Sequence, residues 1–86
     1  MATPKNGGLQ MTDDMIFDKK QALVHEILTT RRELKMTQKG IEAECGVKQP
    51  VIARMERGLT DPQLTTVLKV LAPLGKTLAI VPLEEA

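Results

Sequence analysis

The sequence predicts a small all-α domain, a compact bundle of four to five helices, with one short β-strand near the end of the chain. Its 86 residues allow one modest core. The apolar residues are almost all aliphatic, with Phe17 as the only aromatic residue, and this composition favours helical packing. Apolar residues also recur at helical spacing in segments separated by turn residues. The exception is TLAIVP, residues 77–82, which alternates as a strand does.

The first helix follows an arm that has no hydrophobic periodicity. Residues 1–12 include proline and glycine and are expected to be flexible. Over residues 14–35, Leu23, Ile27 and Leu34 lie within about 40° of one another on a helical wheel. One side of this helix is therefore expected to face the core.

Two short helices are predicted on either side of a glycine turn. Thr37 is a suitable N-cap for a helix that begins at Gln38 and extends to about residue 44. Gly46 can adopt the positive φ of the turn. The third helix is expected to start at residue 48 or 49, because Pro50 is tolerated only in a first turn, and to stop before Gly58.

The last two elements complete the predicted fold. Apolar residues repeat at helical spacing over residues 64–74, with an interruption at Pro73, and predict a strongly amphipathic fourth helix. In the strand that follows, Leu78 and Ile80 share one face and Pro82 ends the pattern.

A lone strand needs a partner for its backbone groups, and the chain has no second β-prone run. We therefore expect it to pair antiparallel with the same segment of a second subunit, in a homodimer. The alternatives are that it docks on its own helices or extends a sheet of a partner protein. We therefore expect the chain to consist of a flexible arm at residues 1–12, a helical domain at residues 13–76, and a strand and tail at residues 77–86. The predicted dimerisation residues are Leu71, Leu74, Leu78 and Ile80.

Composition also excludes several classes of function. Cys45 is the only cysteine and His25 the only histidine, so an internal disulfide and a protein-built zinc site are not expected, and neither is a cofactor. His25 lies without a nucleophile pattern near it, which argues against an enzyme. No apolar run reaches the roughly 18 residues of a membrane span and no signal peptide is evident, so the expected location is cytoplasmic.

The charge is concentrated in the middle of the chain. Residues 31–58 hold seven basic and four acidic residues, a net charge of +3, whereas the segments on either side are each −1. On the third helix, Pro50, Arg54 and Arg57 lie opposite the apolar side, and Gln49 stands at the N-terminal tip. This is the layout of a helix-turn-helix, whose second helix enters the DNA major groove. The predicted DNA-binding residues are Lys39, Lys48, Gln49, Pro50, Ala53, Arg54 and Arg57.

The same stretch resembles the Xre or phage-repressor helix-turn-helix family, which has a lambda-repressor-like fold. The motif is carried by Thr37-Gln38, Ile41, Gly46-Val47, Gln49, Ile52 and the closing MERG of residues 55–58. The resemblance covers residues 22–75. It implies that Gln38 contacts phosphate and supports the recognition helix, and that Gln49 reads a base. A plain helical bundle with a solvated basic face is the alternative.

Two residues of the motif depart from the family pattern, and a third is a charged residue on the core side of the third helix. Glu42 stands where the family usually has alanine at the helix crossing, so the contact is expected to be wider or Glu42 to turn outward. Lys48 replaces the usual serine or threonine cap, which weakens capping and adds a cation. Glu56 lies on the core side of the third helix and needs a partner, and the family resemblance implies Arg31. Arg31 and Glu56 are therefore expected to be a structural ion pair.

The tail gives a narrower resemblance. QPVIARMERG followed by PQLTTVLKVLAPLGKTLAIVPLE is similar to the HigA-type antitoxins. That resemblance implies a transcriptional repressor that binds a palindromic operator as a dimer and neutralises a small basic ribonuclease toxin, for which acidic residues near the start of the first helix are candidates. A stand-alone Xre-type regulator without a toxin, and a pure protein-interaction module, are the alternatives.

Overall fold

The computed structural model describes residues 11–83, and this part of the chain is all-helical. Four α-helices follow one another, and a 3₁₀ turn extends the last of them. The helices are α1 (Asp13–Glu33), α2 (Gln38–Cys45), α3 (Gln49–Glu56) and α4 (Leu64–Leu71), and the 3₁₀ turn is Ala72–Leu74. The predicted all-α class is confirmed. None of the helices in residues 11–83 is long and apolar enough to cross a membrane.

The helix boundaries differ from the predicted ones for local reasons. α1 ends two residues earlier than expected because Lys35 has a φ of 59°, in the left-handed region that does not continue a helix. The last predicted turn of α4 is 3₁₀ rather than α, because Pro73 has no N–H to donate and its ring crowds the preceding turn. These changes leave the order and number of helices as predicted.

Side-chain caps account for where α1 and α2 begin. The hydroxyl of Thr12 accepts the N–H of Met15 at 3.2 Å, and the hydroxyl of Thr37 accepts the N–H of Gly40 at 2.9 Å. α2 ends at Gly46, whose φ of 81° is left-handed. The chain therefore reverses sharply between α2 and α3.

One aliphatic core lies between the helices. Ile41 of α2 and Ile52 of α3 are both 0% exposed, so the two short helices are held by tertiary packing. Burial of each such side chain contributes about 1.5 to 3 kcal/mol. The buried core residues are Val24, Ile27, Ile41, Ile52, Met55, Val67, Val70, Leu71 and Leu74.

Two of the residues predicted for a dimer interface belong to this core instead. Leu71 and Leu74 are each 5% exposed within the single chain. The apolar face of α4 is covered by the other helices of the same subunit, so these two side chains are not available on the surface. That part of the prediction is wrong.

The predicted β-strand is not found in residues 11–83. Residues 77–82 have no regular secondary structure, since no other extended segment in the described part of the chain can pair with them. Leu78 packs on the core, whereas Ile80 and Val81 are 103% and 72% exposed. Leu78 and Ile80 therefore do not share a buried face. Residues 1–10 of the predicted arm and residues 84–86 of the tail lie outside the described residues.

Candidate nucleic-acid interface

α2 and α3 are two short helices that are joined by the turn at Gly46 and pack against each other. Their contact is centred on Ile41 and Ile52, and α1 packs behind α3. With its apolar side buried, α3 presents its opposite side and its N-terminal tip to solvent. Lys48, Pro50, Arg54 and Arg57 are exposed there, as is Lys39 at the start of α2.

A buried ion pair joins α1 to the end of α3. The Nε of Arg31 donates to Oε2 of Glu56 at 2.7 Å, and its Nη2 donates to Oε1 at 2.9 Å. The side chains are 10% and 3% exposed. A third donor of Arg31, Nη1, binds the carbonyl of Met36 at 2.8 Å and so ties the loop before α2 to the same guanidinium. This bidentate geometry is the strong form of a charge-assisted hydrogen bond.

Two glutamine amides extend the pair to the protein surface. The Nε2 of Gln38 donates to Oε1 of Glu56 at 2.8 Å, and the Nε2 of Gln49 donates to Oε1 of Gln38 at 2.6 Å. Gln38 and Gln49 are both half-buried. An unbroken chain of hydrogen bonds therefore runs from Arg31 in the interior to the side chain at the tip of α3.

The donors and acceptors in this series of hydrogen bonds determine which way each amide faces. An ionised carboxylate only accepts hydrogen bonds, so Gln38 must turn its NH₂ group towards Glu56. The carbonyl oxygen of Gln38 then faces Gln49, which must donate in turn. Gln49 is left with its own carbonyl oxygen and the second hydrogen of its NH₂ group for an external ligand.

Glu42 of α2 lies half-buried beside these hydrogen bonds, close to the start of α3. Its Oε1 accepts the backbone N–H of Gln49 at 3.1 Å, and its carboxylate is 3.7 Å from the ammonium of Lys39 and 3.9 Å from that of Lys48. The carboxylate of Glu42 therefore has three polar partners, which belong to Gln49, Lys39 and Lys48.

A helix-turn-helix family model matches residues 27–81. The chain belongs to the Xre-type helix-turn-helix family. An uncharacterized HTH-type transcriptional regulator of Haemophilus influenzae is 61% identical over 63 residues, which cover 73% of this chain. The same region is 64% of that relative, so the chain spans less than two thirds of its length. A solved structure described as a toxin-antitoxin module from Streptococcus pneumoniae is 54% identical, with a TM-score of 0.68, over 86% of this chain and 84% of that one.

Within the helix-turn-helix motif, the structure brings two of the eight predicted DNA-binding residues, Gln38 and Gln49, into hydrogen-bond contact. Gln38, Gln49 and Ala53 are half-buried, and the five others are exposed. The family consists of DNA-binding regulators and is not an enzyme class. Residues 11–83 also contain no group of three or more His, Cys, Asp and Glu side chains placed to hold a metal ion.

Two features of the helix-turn-helix were missed by the sequence reasoning. Val51 is 47% exposed near the tip of α3, next to Pro50, where an apolar side chain can meet a thymine methyl group. A helical wheel starting at Gln49 could have found it, because Val51 lies three positions before Arg54 and therefore on its side. The bond from Gln49 to Glu42 had no sequence signal, since it joins two elements seven positions apart.

Proposed function

We propose that this chain is a sequence-specific DNA-binding transcriptional repressor that inserts α3 into the major groove and reads an adenine with Gln49. Membership of the helix-turn-helix family supports the mode of binding. The observation that carries the proposal is the hydrogen-bond chain that orients Gln49. A side chain held in this way is pre-organised, so little conformational entropy is lost when it binds a base.

The choice of adenine follows from the groups that Gln49 has left. Adenine presents N7 as an acceptor and its N6 amino group as a donor in the major groove. These match the free hydrogen and the free carbonyl oxygen of Gln49. Guanine presents two acceptors, N7 and O6, on the same edge, so its O6 would face the carbonyl oxygen of Gln49 with no hydrogen between them.

The remaining exposed residues of the interface have a different role. Arg54, Arg57, Lys39 and Lys48 carry positive charge around the tip and along the outer side of α3. Contacts of such groups with phosphates position the protein on the duplex and are the same for every sequence. Pro50, Val51 and Ala53 lie near the tip of α3, where small apolar groups can contact the floor of the groove.

Gln49→Ala and Arg54→Ala distinguish the two roles. Gln49→Ala is expected to remove the preference for adenine at one position per half-site, at a cost of about 1 to 3 kcal/mol. Arg54→Ala is expected to weaken all sequences alike and to flatten the salt dependence by about one unit. Binding to a randomised duplex library, read by sequencing at two salt concentrations, measures both effects. Lys69→Ala, on α4, is the control for loss of a cation elsewhere.

An unchanged base preference in Gln49→Ala would contradict the assignment of Gln49. A wild-type chain that binds no duplex more tightly than a polyanion such as heparin would contradict the proposed function as a whole, and would favour a protein-interaction module.

We also propose that the chain is the antitoxin of a toxin-antitoxin pair whose toxin is a small basic ribonuclease. The likeness to a toxin-antitoxin module at 54% identity supports it. The start of α1 offers a suitable surface, with Met15, Ile16 and Phe17 each about half exposed beside acidic Asp14 and Asp18. Acidic and apolar groups together suit a basic partner. A stand-alone Xre-type regulator is the alternative function.

Co-expression with the product of the adjacent gene tests this second proposal. A toxin should co-purify with the wild-type chain, and Phe17→Ser should weaken the complex while leaving the fold intact, because this side chain is exposed. Leu64→Ser, at another exposed apolar residue, is the matched control. Absence of a co-purifying toxin favours the stand-alone regulator, and full affinity in Phe17→Ser removes this surface from the site.

We further propose that the chain binds a palindromic operator as a homodimer. Ile80, Val81 and Leu83 form an exposed apolar run beyond the helical domain. Pairing of this run with its copy would cover the apolar surface and supply the backbone partners that a strand requires. Two recognition helices could then meet half-sites about 34 Å apart on one face of the DNA.

A further inference from the structure

The first turn of α3 lacks a side-chain cap of its own, and a residue of α2 replaces it. Lys48 is the N-cap residue and its side chain makes no capping hydrogen bond. The N–H of Gln49 instead donates to the carboxylate of Glu42 at 3.1 Å. Pro50 has no N–H, and the next two N–H groups donate to the carbonyl of Lys48 at 2.9 and 3.1 Å. Glu42 therefore supplies the acceptor for the one N–H of this turn that the helix itself does not satisfy.

Glu42 and Gln38 hold the same residue from two directions. They lie four positions apart on α2, so they share a face of that helix. Glu42 binds the backbone of Gln49, and Gln38 binds its side chain at 2.6 Å. Both the position and the direction of the Gln49 amide are therefore set by α2.

The charge of Glu42 makes its place unusual for a DNA interface. Its side chain is 23% exposed and lies within 4 Å of the ammonium groups of Lys39 and Lys48, whose side chains are 80% and 79% exposed. An anion beside these lysines opposes the binding of phosphates, whatever the sequence. At the N-terminus of α3, however, the same negative charge is favourable, because the N–H groups there carry partial positive charge. The geometry thus supports a role in holding α3 rather than in attracting DNA.

We infer that Glu42 is a positioning residue that sets the sequence specificity of this helix-turn-helix by capping α3 beneath Gln49. The inference rests on the proposed DNA binding. Without the carboxylate, the first turn of α3 loses its external acceptor and frays, and Gln49 is no longer held over one base. Arg54 and Arg57, further along α3, keep their contacts with phosphates. Specific binding therefore falls more than non-specific binding.

Glu42→Ala and Glu42→Gln separate the cap from the charge. The probes are the duplex that the wild-type chain selects from a random pool and a shuffled duplex of the same length and composition. Glu42→Ala is expected to lower the ratio of the two affinities by roughly tenfold, which is the discrimination supplied by one base contact. Glu42→Gln keeps an oxygen that can accept the N–H, so the ratio should stay within about twofold of wild type. Both duplexes should bind Glu42→Gln more tightly, because the anion is gone.

Two further variants distinguish this role from a general loss of stability. Lys48→Ser in the Glu42→Ala background supplies a hydroxyl that can accept the N–H of Val51 but not that of Gln49, so it should recover stability without recovering the affinity ratio. Thr12→Ala removes a cap of the same kind from α1, where the hydroxyl of Thr12 accepts an N–H at 3.2 Å. It should lower the stability without changing the ratio.

The outcomes separate this inference from the proposed function. A wild-type chain that does not discriminate between the two duplexes would refute the proposed function and this inference together. A discriminating wild type whose ratio is unchanged in Glu42→Ala would refute the inference alone. A ratio that Lys48→Ser recovers would refute it as well, because the loss would then come from helix capping in general and not from the contact between Glu42 and Gln49.

Discussion

Removal of either partner of the buried Arg31–Glu56 pair is expected to destabilise the domain strongly. The carboxylate of Glu56 accepts three hydrogen bonds, two from Arg31 and one from Gln38. Each hydrogen bond to a charged group contributes about 1.5 to 3 kcal/mol. Arg31→Ala removes two of them and leaves a carboxylate that is only 3% exposed without its cation. The expected loss is about 3 to 5 kcal/mol, as for other buried pairs that are broken from one side.

Urea and thermal unfolding of Arg31→Ala, Glu56→Ala and the double variant form a cycle that measures the coupling. For a domain of this size each kcal/mol lowers the melting temperature by about 4 to 8 °C, so a single variant should lose at least about 12 °C. The double variant should lose much less than the sum of the single variants, because neither charge is then left buried alone.

A surface pair of the same chain provides the control for this cycle. The ammonium of Lys20 lies 3.8 Å from the carboxylate of Asp61, whose side chain is 88% exposed. Its coupling should be below about 1 kcal/mol. If the losses in Arg31→Ala and Glu56→Ala added within about 0.5 kcal/mol, the argument that the two groups act as a buried unit would be refuted.

Two other predictions concern backbone conformation. Gly46→Ala and Gly58→Ala should each lose about 1 to 2 kcal/mol of unfolding free energy, because both residues have positive φ. Gly58→Ala should lose somewhat more, since its Cβ would meet the amide of Gln21, and adding Gln21→Ala should remove the difference in urea unfolding. Ile80→Pro should make the chain monomeric in sedimentation, because Ile80 is fully exposed in the single subunit and only an intersubunit ladder needs its N–H. A dimer that persists would exclude pairing of this segment.

Local signals in the sequence were sufficient to predict the helix-turn-helix. The cap at Thr37, the left-handed glycine at residue 46 and the proline at the start of α3 each act within one or two turns of the chain, and the structure has all three at the expected places. The end of α1 was misplaced because the left-handed residue there is Lys35, which carries no such signal. Helical periodicity identified some of the buried residues, among them Ile27 and Ile52, but it also placed Leu34 on the core side of the first helix, and Leu34 is 50% exposed.

The features that the sequence could not predict depend on which helices and segments contact one another. Periodicity indicates that one face of α4 is covered but does not identify the covering surface, so Leu71 and Leu74 were assigned to a dimer when they lie in the core of one subunit. The segment at residues 77–82 has the composition of a strand, but a strand exists only with a partner. In the sequence, Glu42 and Lys48 are two separate departures from the family pattern. In the structure one compensates for the other, through a contact between α2 and α3.

The hydrogen bonds that run from Arg31 to Gln49 also indicate why an ion pair, and not a hydrophobic contact, lies behind the residue that we propose reads a base. Replacement of a buried pair by apolar side chains of similar volume is often neutral or stabilising, by about 1 to 4 kcal/mol. An apolar group at residue 56, however, could no longer fix the direction of the Gln38 amide, and the Gln49 amide could then turn with it.

Arg31→Met combined with Glu56→Leu should therefore keep the melting temperature near that of the wild type. We expect the same double variant to bind adenine and guanine with nearly equal affinity at the Gln49 position, measured by competition between duplexes that differ at one base pair. Glu56→Leu alone should lose about 3 to 5 kcal/mol of unfolding free energy, because it leaves Arg31 charged and buried. A folded double variant that still prefers adenine as strongly as the wild type would show that the carboxylate does not control the direction of the two amides.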